Sequence, residues 1–465
     1  MADTPKSDDA TVVSPDTGGD ATIVSEGTGD ATVVSTAPAA GPGGDATVVG
    51  TALQTIDLAE LKPQVTANLM LHNPYALAGV KSENYLLCEL TGAFMGQKMV
   101  RPPVHLSVVL DKSGSMEGRP LEYVKEACRQ LIDKLGPADT LSIVTFAEGV
   151  DVVLAQSAVT RKEALKAQLD LIRPRGTTNL YGGMVAGANQ LALVQAPTHL
   201  SRIILLTDGE ANEGVTEYSE IVGKARNLRK DGCTISTIGV GIEYNEELMK
   251  GIAKNTAGHY YYVDAVSDIP RVFEEELATL FEVVAKNVRL SLRLPKGVRL
   301  DKFYGREAAG GDGALEYELP DIVAGQPQNL LLKLSFDRHP SARFRVLEAG
   351  LSFEYLGQTT RSSIALESVV QFTDDRQKVL NSINSRVDSV MRVKDVVAEI
   401  SRAKQLLSQD AGTATVIIDR AKTVLLQAGR TGDATLVANA ADLLASGDLE
   451  KADKTLGATS WELEE

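Results

Sequence analysis

Asp111-Lys-Ser-Gly-Ser115 puts one carboxylate and two hydroxyls into a five-residue stretch, and two more oxygen-rich turns follow it, Gly176-Thr-Thr-Asn179 and Thr207-Asp-Gly209. A hard divalent cation is bound by oxygen. Mg²⁺ wants about six ligands and usually takes one or two carboxylates, with water completing the shell. Asp111, Ser113, Ser115, one of the two threonines and Asp208 supply such a set. The expected cofactor is therefore Mg²⁺, with Mn²⁺ or Ca²⁺ as alternatives. If one of the two carboxylates reaches the ion only through water, the metal stays electrophilic, and an open position favours an anionic oxygen from a partner. The bland reading of an isolated D-x-S-x-S is a helix N-cap, because Asp and Ser accept backbone hydrogen bonds there. Three such turns at matching places favour the ion.

The turns need elements to hold them. Val104 to Leu110 reads as a strand ending in Asp111, and Leu121, Val124, Ala127, Cys128, Leu131 and Leu135 carry helical spacing. Leu141 to Phe146, Ile203 to Leu206 and Thr234 to Val240 read as further strands, with helices expected over Leu165 to Ile172 and Tyr218 to Lys230. Strands alternating with helices predict an α/β domain over 103–284, a doubly wound, mostly parallel sheet with helices on both faces. In such a sheet ligands bind outside the carboxyl ends of the strands. That is where the three turns fall.

The flanks have a different rhythm. Over 53–102, clusters such as Leu69-Met-Leu71 and Tyr85-Leu-Leu-Cys88 separated by Asn, Pro and Gly predict strands. Over 285–373 the period falls to two at Val288, Leu290, Leu292 and Leu294, and again at Leu351, Phe353 and Tyr355, which predicts an antiparallel β-sandwich. From 374 to 465 the apolar residues recur three or four apart, and Gly412, Gly429 and Gly447 punctuate what read as three or four helices.

The constellation at Asp111, Ser113 and Ser115, with a later threonine and an aspartate in a T-D-G turn, resembles the metal-ion-dependent adhesion site of the von Willebrand factor type A family. The resemblance covers about residues 103 to 284. It implies that Asp111, Ser113, Ser115, Thr178 and Asp208 hold the metal. Thr178 is preferred to Thr177 because the family usually has its threonine directly before Asn. The stretch Arg101-Pro-Pro-Val-His-Leu-Ser-Val-Val-Leu-Asp-Lys-Ser-Gly-Ser-Met116 is also similar to bacterial proteins labelled calcium-activated chloride channel homologues. The surrounding strands look like theirs, which implies a type A domain inserted in or flanked by a small β-sandwich. Channel activity does not follow, since a spanning structure needs a membrane segment.

Residues 1–52 form an acidic arm with eight acids against one lysine, in which Asp-Ala-Thr-Val/Ile-Val occurs four times, starting at Asp9, Asp20, Asp30 and Asp45. Such a segment buries too little apolar surface to order itself, so disorder is expected. Three roles compete for the repeats. Thr11, Thr22, Thr32 and Thr47 are accessible to a Ser/Thr kinase and resemble, weakly, the acidic threonine motifs read by forkhead-associated domains. The phrase could also be a solubilising tether, or it could add as an edge strand to a partner sheet.

Composition limits the rest. The net charge of -15 over 465 residues argues against nucleic acid or an anionic membrane as partner. No run approaches the roughly 18 to 20 apolar residues of a membrane span, and the first residues do not read as a secretory leader. Three scattered cysteines, Cys88, Cys128 and Cys233, fit a reducing compartment. A cytoplasmic location follows as the expectation. The five histidines are scattered and no hydrolase or nucleotide-binding motif occurs, so no enzyme is expected. The reading is a bacterial, metal-dependent scaffold whose partner protein presents an Asp or Glu to the ion. A phosphorylation-regulated adaptor docking through the arm comes second, and a metal-assisted hydrolase third.

Overall fold

The computed structural model describes residues 21–25, 31–35, 63–94, 103–194, 199–306, 314–356, 358 and 360–464. Before the α/β segment run β1 (Ala21–Ser25), β2 (Ala31–Ser35), β3 (Pro63–Leu71), β4 (Tyr75–Leu77) and β5 (Ser82–Phe94). Within it run β6 (Val104–Asp111), α1 (Arg119–Lys134), β7 (Thr140–Phe146), β8 (Val150–Ala158), α2 (Lys162–Leu169), α3 (Leu180–Ala192), β9 (Leu200–Thr207), α4 (Tyr218–Lys230), β10 (Cys233–Val240), α5 (Glu246–Thr256), β11 (Tyr260–Val263) and α6 (Ile269–Phe281). Then come β12 (Val283–Arg293), β13 (Val298–Phe303), β14 (Ala314–Glu318), β15 (Ile322–Val323), β16 (Gln328–Phe336), β17 (Arg343–Tyr355) and β18 (Arg361–Thr373). The tail holds α7 (Arg376–Asn381), α8 (Ser385–Leu406), α9 (Ala411–Gln427), α10 (Thr431–Ser446) and α11 (Leu449–Glu464).

The central sheet has the order β11-β10-β9-β6-β7-β8 and is parallel except for the β7/β8 pair. Every residue of β6 is buried, as a strand covered on both faces requires. Leu106, Val108 and Leu110 pack in one core with Leu121, Val124 and Leu131 of α1 and Phe273 and Leu277 of α6. Val109 belongs to the opposite core with Leu180 and Met184 of α3 and Ile252 of α5. From β6 the chain goes out through β7 to β8, then returns to β9 on the other side of β6. The order therefore reverses between β6 and β9, and a crevice opens at their carboxyl ends.

A buried ion network ties this sheet together at its other end. Glu276 of α6 accepts from Arg202 at 3.0 Å, Ser236 at 2.6 Å and Tyr261 at 2.9 Å, with the His259 ring at 3.0 Å. Burial alone would raise the Glu276 carboxyl, but Arg202, His259 and Ser236 outweigh it and hold it at about 2. Arg202 also lies 3.7 Å from Asp321, which belongs to the neighbouring sandwich.

That sandwich is assembled from both flanks. One sheet has the order β13-β16-β5-β3-β1-β2 and the other β14-β12-β17-β18-β4, with β15 paired to β12. Strands from before and from after the α/β segment share both sheets, meeting at the β16/β5 and β18/β4 pairs, so the α/β domain is an insertion in one sandwich whose core includes Leu86, Leu332, Leu351 and Phe353. The tail packs on both bodies. Val387 and Val390 of α8 cover Leu87 and Leu331 of the sandwich, while Trp461 of α11 meets Tyr260 of β11 edge-on at 5.9 Å. Lys394, itself buried, donates to the carbonyls of Leu463 and Glu464 at 2.8 Å each and so caps the end of α11.

Three expectations need correction. The arm was expected to lack order, but Ala21–Ser25 and Ala31–Ser35, which carry the Ala-Thr-Ile/Val-Val of its second and third repeats, form β1 and β2. These strands pair with each other, and β1 pairs with β3 from Thr22↔Asn68 to Ser25↔Val65. The reason is that β-branched Thr-Ile/Val-Val favours extended backbone and the edge of β3 supplies a hydrogen-bond ladder, which an argument from apolar burial alone overlooks. The first and fourth repeats, with Thr11 and Thr47, lie outside the described residues. The helix expected to run to Ile172 ends at Leu169. Gly412 does not break the tail but sits in the first turn of α9, which Asp410 caps through Thr413 N at 3.0 Å. Gly429 and Gly447 do end helices, at φ +76° and +85°, a backbone that suits glycine. The tail has five helices among the described residues, the short α7 being the addition.

Candidate metal centre

Asp111 closes β6 and Asp208 follows β9 directly, so adjacent strands deliver the two carboxylates to the crevice. Asp111 is fully buried and both its oxygens are occupied. Oδ1 accepts from Ser113 N at 2.7 Å and Oδ2 from Thr207 Oγ1 at 2.5 Å. This fixes the carboxylate. The chain then makes a short 3-10 turn over Gly114–Met116, with Met116 buried as its anchor. The turn brings Ser113 Oγ to 3.0 Å from Ser115 Oγ, and Ser115 Oγ donates to Asp208 Oδ1 at 2.7 Å.

The second turn completes the set. Thr178 is buried, and its backbone N donates to Asn212 Oδ1 at 2.8 Å while Asn212 N donates back to its carbonyl at 3.2 Å. A Cβ on Gly209 would lie 3.6 Å from Thr178 Oγ1 and 3.9 Å from Ser115 Oγ, which places both hydroxyls beside this glycine. Thr177 turns the other way, donating to Glu213 at 3.3 Å. Asn179 caps α3 through Gly182 N at 2.9 Å. Gly176 adopts φ +73° with the Glu148 carboxylate packed against it, and its carbonyl accepts from Gly114 N at 3.2 Å.

All five residues singled out from the sequence thus meet at one rim: Asp111, Ser113, Ser115, Thr178 and Asp208. Sequence reasoning missed Thr207 and Asn212, which hold the others in place. Thr207 was visible as the first residue of the T-D-G turn, but its role depends on β9 lying beside β6.

The donor chemistry fits a hard cation. Burial pushes the Asp111 carboxyl up to about 6 against the hydrogen bonds from Thr207 and Ser113, with Asp208 adding to the rise, and burial likewise raises Asp208. Two carboxylates held close in a poorly solvated crevice are a site short of positive charge. The nearest lysine in sequence does not supply it, because Lys112 Nζ is turned away onto Asp151 at 2.5 Å. Among the described residues no group of three or more His, Cys, Asp or Glu gathers as a metal cluster. The centre is hydroxyl-rich, which suits Mg²⁺, Mn²⁺ or Ca²⁺ better than a soft ion.

The sequence profile of the von Willebrand factor type A domain matches residues 105–275. This chain carries a von Willebrand factor type A domain. An uncharacterised protein of Synechocystis sp. is 26% identical over 366 residues, 76% of this chain and 86% of that one. Inter-alpha-trypsin inhibitor heavy chain H1 of Sus scrofa is 28% identical over 195 residues, 38% of this chain but only 22% of the relative, so the likeness there is confined to one part of a much longer protein. Among solved structures, von Willebrand factor type A from Catenulispora acidiphila superposes with a TM-score of 0.68 at 18% identity, covering 82% of this chain and 91% of that one. At that identity the likeness concerns the fold, and it extends well beyond the type A domain. Among the described residues no helix is long and apolar enough to cross a membrane.

Proposed function

We propose that the chain is a cytoplasmic scaffold that binds a protein partner through a divalent cation held by Asp111, Ser113, Ser115, Thr178 and Asp208. The observation that carries this reading is the contact between Ser113 Oγ, Ser115 Oγ and Asp208 Oδ1, at 3.0 and 2.7 Å, on the rim of a crevice beside a buried, fully bonded Asp111. The ion would supply Lewis acidity at an open position. The residues of the chain do the rest. Thr207 and Ser113 N orient Asp111, Asn212 orients Thr178, and Ser115 and Asp208 remain accessible at the surface, where a partner Asp or Glu can approach. The serines act in this reading as ligands rather than nucleophiles, and the protein is an interaction module without a reaction of its own. Isothermal titration with Mg²⁺ and Mn²⁺ tests it. A single site that disappears in Asp208→Ala, together with partner capture that chelator abolishes, is expected; unchanged metal affinity in the variant would sink the assignment.

A second reading gives the arm a regulatory role, favoured by the pairing of β1 and β2 at the sandwich edge. A Ser/Thr kinase acting on Thr11, Thr22, Thr32 or Thr47 would add about -1.5 to -2 charges per site. A forkhead-associated domain would then read the released repeats. Phosphomimetic Glu at Thr22 and Thr32 should free β1 and β2, seen as faster amide exchange over 21–35.

A further inference from the structure

The rim of the candidate metal centre is built from the turns that follow the parallel strands, and those turns carry glutamates. Glu148 follows β7, Glu210 and Glu213 follow β9, and Glu243 follows β10. All four are exposed. Three of them are tied to the centre by contact or field. The Glu148 carboxylate packs on Gly176, Glu213 accepts from Thr177 at 3.3 Å, and the charge of Glu243 adds to the burial that raises Asp208. Glu210 lies two residues beyond Asp208. Two cations of these turns, Lys112 and Arg175, are held at Asp151, at 2.5 and 3.5 Å.

The consequence is a conflict of charge. A divalent ion is formally neutralised by Asp111 and Asp208, so its attraction for an incoming carboxylate acts at contact. The four glutamates act further out, over about 10 Å at 0.1 M salt. A partner with an acidic surface would be repelled before its carboxylate reached the ion, whereas a partner whose Asp or Glu is ringed by Lys or Arg would be drawn in by the same field. We infer that the rim selects partners presenting a single Asp or Glu within a basic patch, the basic side chains pairing with Glu148, Glu210, Glu213 and Glu243. This rests on the metal-centre reading above and names the class of partner it serves. It also sets the acidic arm aside as a ligand for its own metal centre.

The test uses the full chain with Mg²⁺ at saturation and three acetylated, amidated peptides: Lys-Lys-Asp-Lys-Lys, Glu-Glu-Asp-Glu-Glu and Lys-Lys-Asn-Lys-Lys. Affinities are measured at low and at moderate salt for wild type and for a variant combining Glu148→Gln, Glu210→Gln, Glu213→Gln and Glu243→Gln. The Lys-flanked Asp peptide is expected to bind at least about tenfold tighter than the Glu-flanked one, taking about two- to fivefold for each exposed charge. The gap should shrink with salt and nearly close in the fourfold variant. The Asn peptide should bind weakly. An equal gap in wild type and variant, a preference for the Glu-flanked peptide, or equal binding of the Asn and Asp peptides would overturn the inference. A Mn²⁺ titration on both proteins separates the two levels: metal bound without the charge preference removes only the rim's role, whereas no metal bound removes the centre itself.

Discussion

Asp111 keeps its place through Thr207, whose hydroxyl takes Oδ2 while Ser113 N takes Oδ1. Removing the carboxylates themselves, in Asp111→Ala or Asp208→Ala, should abolish divalent-ion binding in titration calorimetry while the fold remains, because the centre lies at the rim of a large core. Thr207→Val keeps the shape and deletes the donor. Partners that orient a ligand are worth about 10- to 100-fold in metal affinity, so this variant should bind Mn²⁺ within that range more weakly, with the melting temperature little changed. That Asp111, Ser113, Ser115 and Asp208 would gather at one rim was legible from their types and spacing. Thr207 and Asn212 were not, because their work consists of reaching residues remote in sequence.

Among the helices of the type A domain, α1, α2 and α4 were read from their spacing; α5 and α6 were not, and neither was α3. Its sequence carries Gly182, Gly183 and Gly187, which argue against a helix locally. Packing decides otherwise: a Cβ at Gly187 would stand 2.5 Å from Val109 and one at Gly183 2.5 Å from Phe146, so the glycines are what let the helix lie close on the sheet. Gly187→Leu should therefore disturb the sheet beneath the candidate metal centre, lowering the melting temperature and weakening Mn²⁺ binding in titration calorimetry. The helix α6 contributes Glu276, whose folded pKa of about 2 lies below the ordinary value of 4.5. A depressed carboxylate stabilises the fold above its unfolded pKa and loses that contribution as pH falls toward the folded one. Between pH 4.5 and about 2 this group should withdraw about 3 kcal/mol. Glu276→Gln should cost about 3 to 5 kcal/mol at neutral pH by leaving Arg202 buried and poorly compensated, and should flatten that part of the pH profile of chemical denaturation. In the tail, Trp461→Ala removes the contact of α11 with Tyr260. It should cost about 3 to 5 kcal/mol, with hydrogen exchange rising first over 449–464.

At the scale of the whole molecule, three bodies share contacts that no one of them owns. The sandwich sends Asp321 toward Arg202 of the type A domain, and the tail lays α8 on one body and α11 on the other. Deleting residues 1–52 removes β1 and β2 and leaves β3 as an open edge, which is a template for pairing with another chain. The truncated protein should lose little melting temperature but self-associate more, as light scattering would show; a large drop in melting temperature would mean that the arm also braces the sandwich. The sandwich was legible as β-structure on both flanks. Its strand order was not, because nothing in a strand's own pattern says that β5 will pair with β16 across the whole inserted domain.

That pairing sets a timetable for synthesis. When a ribosome has delivered β3 and β5, their neighbours β16, β17 and β18 do not yet exist, and the chain must grow from Phe94 to Thr373 before the two sheets can close. At about 5 to 20 residues per second this interval is about 15 to 60 seconds. The type A domain is complete within it and can fold on schedule, while a β3/β5 hairpin waits with apolar residues such as Leu86 and Leu90 uncovered. During that wait the repeats of the arm, made first and already at hand, are the nearest strands available to shield the edge of β3.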